Sequence, residues 1–313
     1  MKAYGPVPSR RLGRSLGINN IPPKTCTYSC VYCQLGRTDD LKTDRTNFYD
    51  TEKLKKEVEE KVSRLEKKDE EIDYLSFVPD GEPTLDVKLG KEIKLVSEFG
   101  IDVAVISNAS LIADSEVRSD LAEADWVSLK VDAVSEDVWR KVNRPAGSLE
   151  LANILEGIEV FSREFGGTLA TETMLIKGVN DKTEEFEKIA NFIGQISPDE
   201  SYIAIPTRPP AEDRVSPADE EKINRAYQEF SKRVGKVEYL IGYEGNQFTS
   251  TGDFEEDVLS ITAVHPMREE GVEELVNKSG DDWKLVEKLV EEGKLVRHSF
   301  EKSVYYMRKL PKS

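Results

Sequence analysis

The sequence of 313 residues is poor in several residue types, and each shortage excludes a class of protein. It contains three cysteines, too few for a secreted domain that is held together by disulfides. It has no run of 18 or more apolar residues, so we expect no membrane-spanning helix and no membrane partner. The first residues lack the apolar core of a signal peptide. We therefore expect a cytoplasmic protein, long enough for one large domain and a small additional one.

Acidic residues are absent from the first 37 positions, although the whole chain carries a formal net charge of −16. This segment contains six bases, which leaves −22 for the remainder. A basic segment on an acidic protein predicts an anionic ligand that is guided to one site. The alternative is that these bases pair with acids of the body, as exposed arginines commonly do. The bases are Lys2, Arg10, Arg11, Arg14, Lys24 and Arg37.

The three cysteines lie within eight residues, as Cys26, Cys30 and Cys33. A CxxxCxxC segment places three thiolates on one loop, close enough to bind three irons of a 4Fe–4S cluster and to leave the fourth iron open. Structural zinc usually has two ligand pairs, and the two histidines are more than 230 residues away. A zinc site completed by a distant histidine, or three free thiols, are the alternatives.

The loop Tyr28–Cys33, with an aromatic residue before the third cysteine, resembles the signature of the radical S-adenosylmethionine (SAM) enzymes. The wider segments Gly5–Gly13 and Gly36–Thr38 resemble a group related to the wyosine-forming tRNA enzymes. The resemblance implies a 4Fe–4S cluster held by Cys26, Cys30 and Cys33. It also implies SAM on the open iron, reductive cleavage of SAM to a 5′-deoxyadenosyl radical, and hydrogen abstraction from a substrate. An electron donor of the ferredoxin or flavodoxin type follows from the same resemblance.

Apolar periodicity predicts alternating strands and helices after the cysteine loop, which we place at 20–37. Alternation of this kind indicates parallel βαβ units. The resemblance implies a partial (β/α)6 TIM-type barrel over 1–248, and a doubly wound sheet is the alternative. Both folds place function at the carboxyl ends of the strands. The predicted strands are Leu16–Asn19, Ile72–Val78, Val103–Ile106, Trp126–Val131, Leu169–Ile176, Tyr202–Ile205 and Val237–Ile241.

The pattern changes after Tyr243–Phe248, where three short helices and a hairpin are predicted over 254–313. This order resembles a small winged-helix domain. Acids exceed bases in the segment, although its last residues from Arg297 to Ser313 are basic. Winged helices contact both proteins and RNA, so a protein partner, a capping role on the barrel, and RNA contact all stay open.

Candidate SAM-binding residues follow the second and third predicted barrel strands. Gly81, Glu82 and Pro83 stand in a turn that resembles the short glycine-rich SAM motif of the family, with Asp80 in place of the first glycine. Such a turn directs backbone carbonyls and a carboxylate at the SAM ammonium group. Asn108, at the end of the third strand, resembles the family's residues near the methionine moiety. An ordinary turn explains both segments equally well on sequence alone.

The fourth strand presents Ser128, Lys130 and Asp132 on one face, because alternate residues of a strand point the same way. Polar residues on the inner face of a barrel require partners. The resemblance implies that Ser128 and Lys130 contact the SAM ribose and carboxylate, and we place Asp132 near the substrate.

Further candidates lie on the cysteine loop and the last strands. The resemblance places Tyr32 and the strand end at Ile176 near adenine. The phase of that strand is open, with either Thr171 and Thr173 or Glu172 and Met174 facing inward. Arg208, in a proline-rich loop, is suited to clamp a phosphate or carboxylate, although a salt-bridged arginine is the alternative. Lys130, Asp132 and Arg208 are our candidate catalytic residues.

The sequence leaves three substrate classes open. RNA base modification is favoured by the resemblance and the basic segments, but no cysteines remain for the second cluster of the wyosine enzyme. Radical modification of a small anionic metabolite or peptide is the second class, and activation of a partner protein is the third.

Overall fold

The structure is a computed structural model that describes residues 2–242, 245, 248–300 and 302–309. Its strands, in chain order, are β1 (Ala3–Ser9), β2 (Gly13–Ile18), β3 (Thr25–Cys26), β4 (Asp40–Leu41), β5 (Tyr74–Phe77), β6 (Val103–Ser107), β7 (Trp126–Lys130), β8 (Thr168–Met174), β9 (Glu200–Ala204), β10 (Val237–Leu240), β11 (Met267–Arg268), β12 (Leu295–Phe300) and β13 (Ser303–Arg308). Its helices are α1 (Thr51–Glu66), α2 (Leu89–Ser97), α3 (Ser115–Leu121), α4 (Glu136–Val142), α5 (Leu151–Glu164), α6 (Thr183–Ile196), α7 (Glu220–Ser231), α8 (Phe254–Val264), α9 (Glu269–Ser279) and α10 (Trp283–Glu291), with a short 3₁₀ helix at Pro83–Leu85. In this part of the chain, no helix is both long and apolar enough to cross a membrane.

An open eight-stranded sheet forms the main body, in the order β1-β2-β5-β6-β7-β8-β9-β10. From β2 to β10 all neighbours are parallel, and helices α1 to α7 connect or follow these strands. This arrangement confirms the predicted α/β fold, a partial barrel of strand–helix units. At the first edge β1 pairs antiparallel with β2, and at the other edge Tyr239 in β10 accepts a hydrogen bond from Arg10. The turn between β1 and β2 therefore connects the two edges at the amino-terminal end of the barrel.

The two faces of the sheet bury different residues. Val127, Leu129 and Val131 face the helices and belong to the large outer core. Trp126, in the opposite phase, packs inside the curved sheet on Ala104, Ala170 and Tyr202, with Leu12 entering from the β1–β2 turn. The predicted inward phase of β7 is confirmed, and the same alternation turns Lys130 toward the interior.

Strand β1 was absent from the sequence-based expectation. Its segment contains Gly5, Pro6 and Pro8, and proline lacks the N–H that a central strand must donate. Because β1 lies at the sheet edge, it pairs with a strand on one side only. Its prolines therefore interrupt no hydrogen bonds to a second neighbouring strand. Helix α8 covers this strand, and Val7 packs against a second hydrophobic core.

The second core lies in the C-terminal part and is built by Phe248, Phe254, Ile261, Leu275 and Leu289 together with neighbouring apolar residues. Helices α8, α9 and α10 and the β12–β13 hairpin confirm the predicted element types, and β11 adds a short third strand to the hairpin. The winged-helix assignment and the 1–248/254–313 division stay predictions. Parts of the predicted junction (243, 244, 246, 247), of the hairpin turn (301) and of the basic terminus (310–313) lie outside the described residues.

A buried ion pair joins the C-terminal part to the barrel. Lys61 Nζ in α1 lies 3.1 Å from Asp257 Oδ1 in α8, with side-chain exposures of 4% and 0%. The same carboxylate accepts hydrogen bonds from Thr251 N at 2.6 Å and Thr251 Oγ1 at 2.8 Å. Nearby on α1, the more exposed Arg64 pairs with Glu256 at 3.3 Å. The two helices are thus held by one buried and one exposed charge pair.

Candidate active site

The carboxyl ends of the parallel strands surround a cavity of about 290 Å³. The loop that follows β2 folds over this edge of the sheet and carries the three cysteines. Residues at or just after the ends of β5, β6, β7, β8 and β9 line the same space. The site therefore occupies the edge at which parallel α/β sheets generally bind their ligands.

Cys26, Cys30 and Cys33 are partly buried free thiols, and all three line the cavity. Burial raises the pKa of each thiol, that of Cys30 to about 12, so metal binding must displace their protons. Across the described ranges, no three His, Cys, Asp or Glu side chains are arranged to hold a single metal ion. Three sulfur donors on one loop fit an iron–sulfur cluster, which distributes its ligands over several irons, better than one zinc ion.

Backbone hydrogen bonds fix the cysteine loop against the end of α4. The amide of Ser29 donates to the carbonyl of Asn143 at 3.0 Å, and the amide of Val31 donates to that of Val142 at 2.9 Å. Within the loop, the amide of Cys33 donates to the Cys30 carbonyl at 3.1 Å. These bonds set the path of the backbone that carries Cys30 and Cys33.

Two asparagine side chains also donate to cysteine sulfurs. Asn108 Nδ2 lies 3.5 Å from Cys26 Sγ, and Asn143 Nδ2 lies 3.4 Å from Cys30 Sγ. Each amide is held in place by a second, oxygen acceptor at 2.8 Å and 2.7 Å respectively. Donors aimed at a cysteine sulfur stabilise negative charge on it, and hydrogen bonds of this kind tune the potential of an iron–sulfur cluster.

The turn after β5, with Gly81, Glu82 and Pro83, packs directly against the cysteine loop. A Cβ atom at position 81 would overlap the carbonyl oxygen of Thr25, so the close approach of the two segments requires glycine. The amide of Glu82 donates to that same carbonyl at 3.2 Å. Gly81 and Glu82 line the cavity, whereas Pro83 begins the 3₁₀ helix and is buried behind it.

The carboxylate of Glu82 is buried and already accepts four hydrogen bonds. Its Oε1 accepts from Thr84 N at 3.1 Å, Thr84 Oγ1 at 2.6 Å and Ser107 Oγ at 2.7 Å. Its Oε2 accepts from the amide of Asn108 at 2.7 Å. Burial raises the pKa of Glu82 above its ordinary value, and these hydrogen bonds reduce the rise. Glu82 thus joins the ends of β5 and β6 in addition to facing the cavity.

Ion pairs surround Lys130 at the side of the cavity. Lys130 Nζ lies 2.7 Å from Glu172 Oε1, 3.7 Å from Asp132 Oδ1 and 5.0 Å from the centre of the Tyr32 ring. Arg11, from the β1–β2 turn, pairs with the other Glu172 oxygen. Burial alone would raise the pKa of Glu172, but the charges of Lys130 and Arg11 lower it to about 2. Burial likewise opposes the charge on Lys130, but Asp132 and Glu172 raise its pKa, so its ammonium group stays charged.

Ser128 in β7, and Asp132 just after its end, are in phase with Lys130 but do not line the cavity. Asp132 is 3% exposed, its Oδ1 accepts from the amide of Met174 at 2.9 Å, and its Oδ2 accepts from Tyr32 and Asn143. Asp132, predicted near the substrate, is therefore enclosed by residues that it orients. Ser128 lies deeper, and its hydroxyl has no hydrogen-bond partner among the described residues.

Tyr32 lines the cavity, whereas Ile176 lines a separate cavity beside Val31. The amide of Ile176 donates to Asn180 Oδ1 at 2.8 Å. The predicted adenine contact concerns backbone groups at this strand end and stays a prediction. Met174, two residues earlier on the inward face, does line the site.

Arg208 connects the cavity to the C-terminal part. It donates to Gln34 Oε1 at 2.9 Å and lies 3.2 Å from His265 Nε2, and Gln34 Nε2 donates to the Val264 carbonyl at 2.7 Å. Burial lowers the pKa of His265 well below its ordinary value, and the charge of Arg208 acts in the same direction. The Nε2 atom of the neutral ring therefore accepts a hydrogen bond from Arg208. Arg208, Gln34 and Val264 line the cavity, so its rim is built partly by the C-terminal part.

Most bases of the first 37 residues pair with acids, which was the alternative to an anion-guiding role. The pairs are Lys2–Glu57, Arg11–Glu172, Arg14–Glu71, Lys24–Asp39 and Arg37–Glu212. Arg14 lies at the amino-terminal edge of the sheet, opposite the cavity. Arg11, Lys24 and Arg37 line the cavity, each paired with an acid.

Asn143 and Gln34 belong to the site but were not named from the sequence, and Glu172 was named only as part of one of two open strand phases. The alternation of β8 left two phases open, and the structure selects the one in which Glu172 and Met174 face inward. Gln34 is adjacent in sequence to Cys33, which is a usable signal. Asn143 lies beyond α4 and gives no signal in the sequence.

Comparison with known proteins agrees with this geometry. The family model described as Radical SAM superfamily matches residues 20–193. A UPF0026 protein of Methanocaldococcus jannaschii is 45% identical over 310 residues, covering 98% of this chain and 96% of that protein. A UPF0026 protein of Synechocystis is 37% identical, covering 66% of this chain and 76% of that protein.

Two solved structures share the fold at low sequence identity. A structure of TYW1 with a lysine–pyruvate adduct bound has a TM-score of 0.51 and 18% identity, and covers 71% of this chain and 74% of that one. Streptococcus suis SuiB bound to the precursor peptide SuiA has a TM-score of 0.52 and 15% identity, and covers 70% and 47%. At these identities the likeness concerns the fold alone.

Proposed function

The chain belongs to the radical SAM superfamily and, within it, to the UPF0026 proteins, and on that premise we propose that it is a radical SAM enzyme whose cluster is of the 4Fe–4S type. In this proposal Cys26, Cys30 and Cys33 hold the cluster. When bound, it supplies the electron that cleaves SAM to methionine and a 5′-deoxyadenosyl radical, which takes hydrogen from a substrate. The electron comes from a donor of the ferredoxin or flavodoxin type.

One observation carries the proposal: the three thiols and the polar strand-end residues Gly81, Glu82, Asn108 and Lys130 line the same cavity. We assign the SAM ammonium group to the acceptors of the Gly81–Glu82 turn and the SAM carboxylate to the charged Lys130. Tyr32, held by Asp132, supplies a flat surface for the adenine. The protein's part is to hold these groups in position and to exclude water.

Anaerobic purification followed by chemical analysis and turnover tests the proposal. We expect about four iron and four sulfide per chain. With SAM and dithionite, the protein should form 5′-deoxyadenosine and methionine. Stoichiometric zinc without iron, or an intact cluster that never cleaves SAM, would refute the proposal.

Lys130→Met should weaken SAM binding roughly ten- to a hundredfold, because a charge-assisted hydrogen bond is worth about 1.5–3 kcal/mol. Glu172 keeps its ion pair with Arg11 in this variant, so the protein should fold. Anaerobic calorimetry with SAM measures the effect. The matched control is Lys141→Met on α4, an exposed lysine 3.2 Å from Asp137, which should leave the affinity unchanged. Equal affinities in wild type and Lys130→Met would contradict the carboxylate assignment.

Asn143→Leu should make the reduction potential of the cluster more negative, because it removes the N–H donor on the Cys30 sulfur. A redox titration followed by electron paramagnetic resonance measures the potential without requiring turnover. Iron content should stay at the wild-type level, since Cys30 itself is retained. Asn153→Leu, at an exposed asparagine of α5, is the control. An unchanged potential in Asn143→Leu would show that the donor has no electronic role.

A further inference from the structure

A second cavity, of about 460 Å³, adjoins the first on the side of the C-terminal part. Lys24, Gln34, Leu35 and Gly36 line both cavities, so the end of the cysteine loop forms their common wall. We call the cavity with the cysteines the inner cavity and this second one the outer cavity. The proposed function assigns the substrate to neither cavity.

The inner cavity contains the groups that the proposed function assigns to the cluster and SAM. Its volume of about 290 Å³ lies just below the roughly 300–1,000 Å³ typical of small-molecule sites. A further cavity beside it therefore offers room for a substrate. Gln34 lines both spaces, so the side of the inner cavity at Gln34 leads to the outer cavity.

The outer cavity has walls from both parts of the chain. The loop after β9 contributes Pro209, Pro210 and Asp213, and the end of α8 contributes Thr262, Ala263 and Pro266. The β12–β13 hairpin completes it with His298, Ser299, Phe300, Met307 and Arg308. The site exists as a cavity because the C-terminal part packs on the barrel.

Two cations and one carboxylate line this cavity, although the chain as a whole has a net charge of −16. Lys24 and Arg308 face one carboxylate, Asp213, across the described lining. Lys24 makes only a loose ion pair, 3.7 Å from Asp39, and Arg308 donates a long hydrogen bond of 3.5 Å to the Leu259 carbonyl. Both cations thus keep donor capacity for a ligand.

The charge of Arg308 also acts on the inner cavity. Burial raises the pKa of Asp80, which lines the inner cavity, to about 7, and the charge of Arg308 opposes this rise. A ligand whose anionic end lies at Arg308 can extend toward the inner cavity past Gln34 and Leu35, which line both spaces.

We propose that the outer cavity is the substrate site and that the substrate is a small organic anion whose carboxylate or phosphate group is held by Lys24 and Arg308. This inference rests on the proposed function and adds the substrate class to it. Guanidinium and ammonium groups bind both anion types through charge-assisted hydrogen bonds. The pairing of Arg14 at the far edge of the sheet interrupts the continuous basic path that RNA would need, which favours a small molecule.

Anion binding to the anaerobically purified protein in the presence of SAM tests this inference. The probes are citrate and glycerol 3-phosphate, which separate carboxylate from phosphate recognition, and native mass spectrometry and calorimetry give the affinities. We expect at least one probe to bind to wild type, and Arg308→Gln to lose roughly tenfold or more in affinity. Lys302→Gln, at an exposed hairpin lysine outside the lining, is the matched control and should bind like wild type.

A second variant tests the inference if the Arg308→Gln protein does not fold. Lys24→Gln changes the opposite wall, and it should show the same loss of affinity even if Arg308→Gln fails to fold. Absence of binding by both probes, or equal affinity in wild type and Lys24→Gln, would overturn the inference. Tight, strongly salt-dependent binding of tRNA that neither probe displaces would also overturn it, in favour of an RNA substrate.

The substrate inference and the proposed function can be refuted separately. If wild type carries the cluster and cleaves SAM but binds neither probe, the substrate inference is wrong and the proposed function stands. If wild type lacks iron, the proposed function is wrong whatever the probes do.

Discussion

Cys30→Ala should abolish cluster assembly, with iron falling from about four per chain to a small residual fraction. The sequence contains no fourth cysteine that could replace the lost ligand, and a three-ligand site has none to spare. The measurement is iron and sulfide analysis after anaerobic reconstitution, with circular dichroism to confirm the fold.

Asp40→Asn is a suitable control, because this exposed residue lies close to the cysteine loop without lining the cavity. It should retain the full iron content and the full yield of 5′-deoxyadenosine. A Cys30→Ala protein with wild-type iron would show that the cluster uses other ligands.

Lys61→Ala should lower the free energy of unfolding by about 3–5 kcal/mol, because it leaves the fully buried Asp257 without its cation. The remaining donors on that carboxylate are the neutral groups of Thr251 and Ser250, which do not balance its charge. Urea denaturation followed by fluorescence and circular dichroism measures the loss.

Arg64→Ala provides the comparison on the same helix. Its pair with Glu256 is half-exposed, so the variant should lose no more than about 1 kcal/mol. If both variants lose the same amount, the buried pair does not anchor the C-terminal part to the barrel.

Sequence periodicity was sufficient for most of the fold, because each central strand carries apolar residues on at least one face and alternates with an amphipathic helix. Val103–Ser107 and Trp126–Lys130 lie within one residue of their predicted bounds. Strand β1 was not predicted, because its glycine and prolines argue against a strand. Its position at the sheet edge, which tolerates them, is a tertiary property. The two-residue β11 is too short for any periodicity.

The candidate site likewise contains residues that local sequence patterns identify and residues that they do not. Cys26, Cys30 and Cys33 were recognisable because their chemistry depends on local spacing, and Lys130 because strand alternation fixes its direction. The enclosure of Asp132 by Tyr32, Asn143 and Met174 depends on contacts over distances of up to 100 residues in sequence, which no local pattern encodes.

For Glu172 the missing information was the phase of one strand. At Ile176 the strand was predicted two residues too long, because it ends at Met174 and the following residues line a different cavity. When a predicted strand runs two residues past the end of the real one, alternation still assigns those two residues to a face of the sheet. Their side chains no longer point toward that face, because the strand has ended.

The two walls of the outer cavity are held in place by separate sets of contacts. The cysteine loop is fixed by the turn at Gly81, the asparagine donors and the barrel itself. The hairpin wall at 298–300 and 307–308 is supported by the hydrophobic core of the C-terminal part. Exchange of the hairpin residues should therefore reshape the outer cavity without displacing the three cysteines.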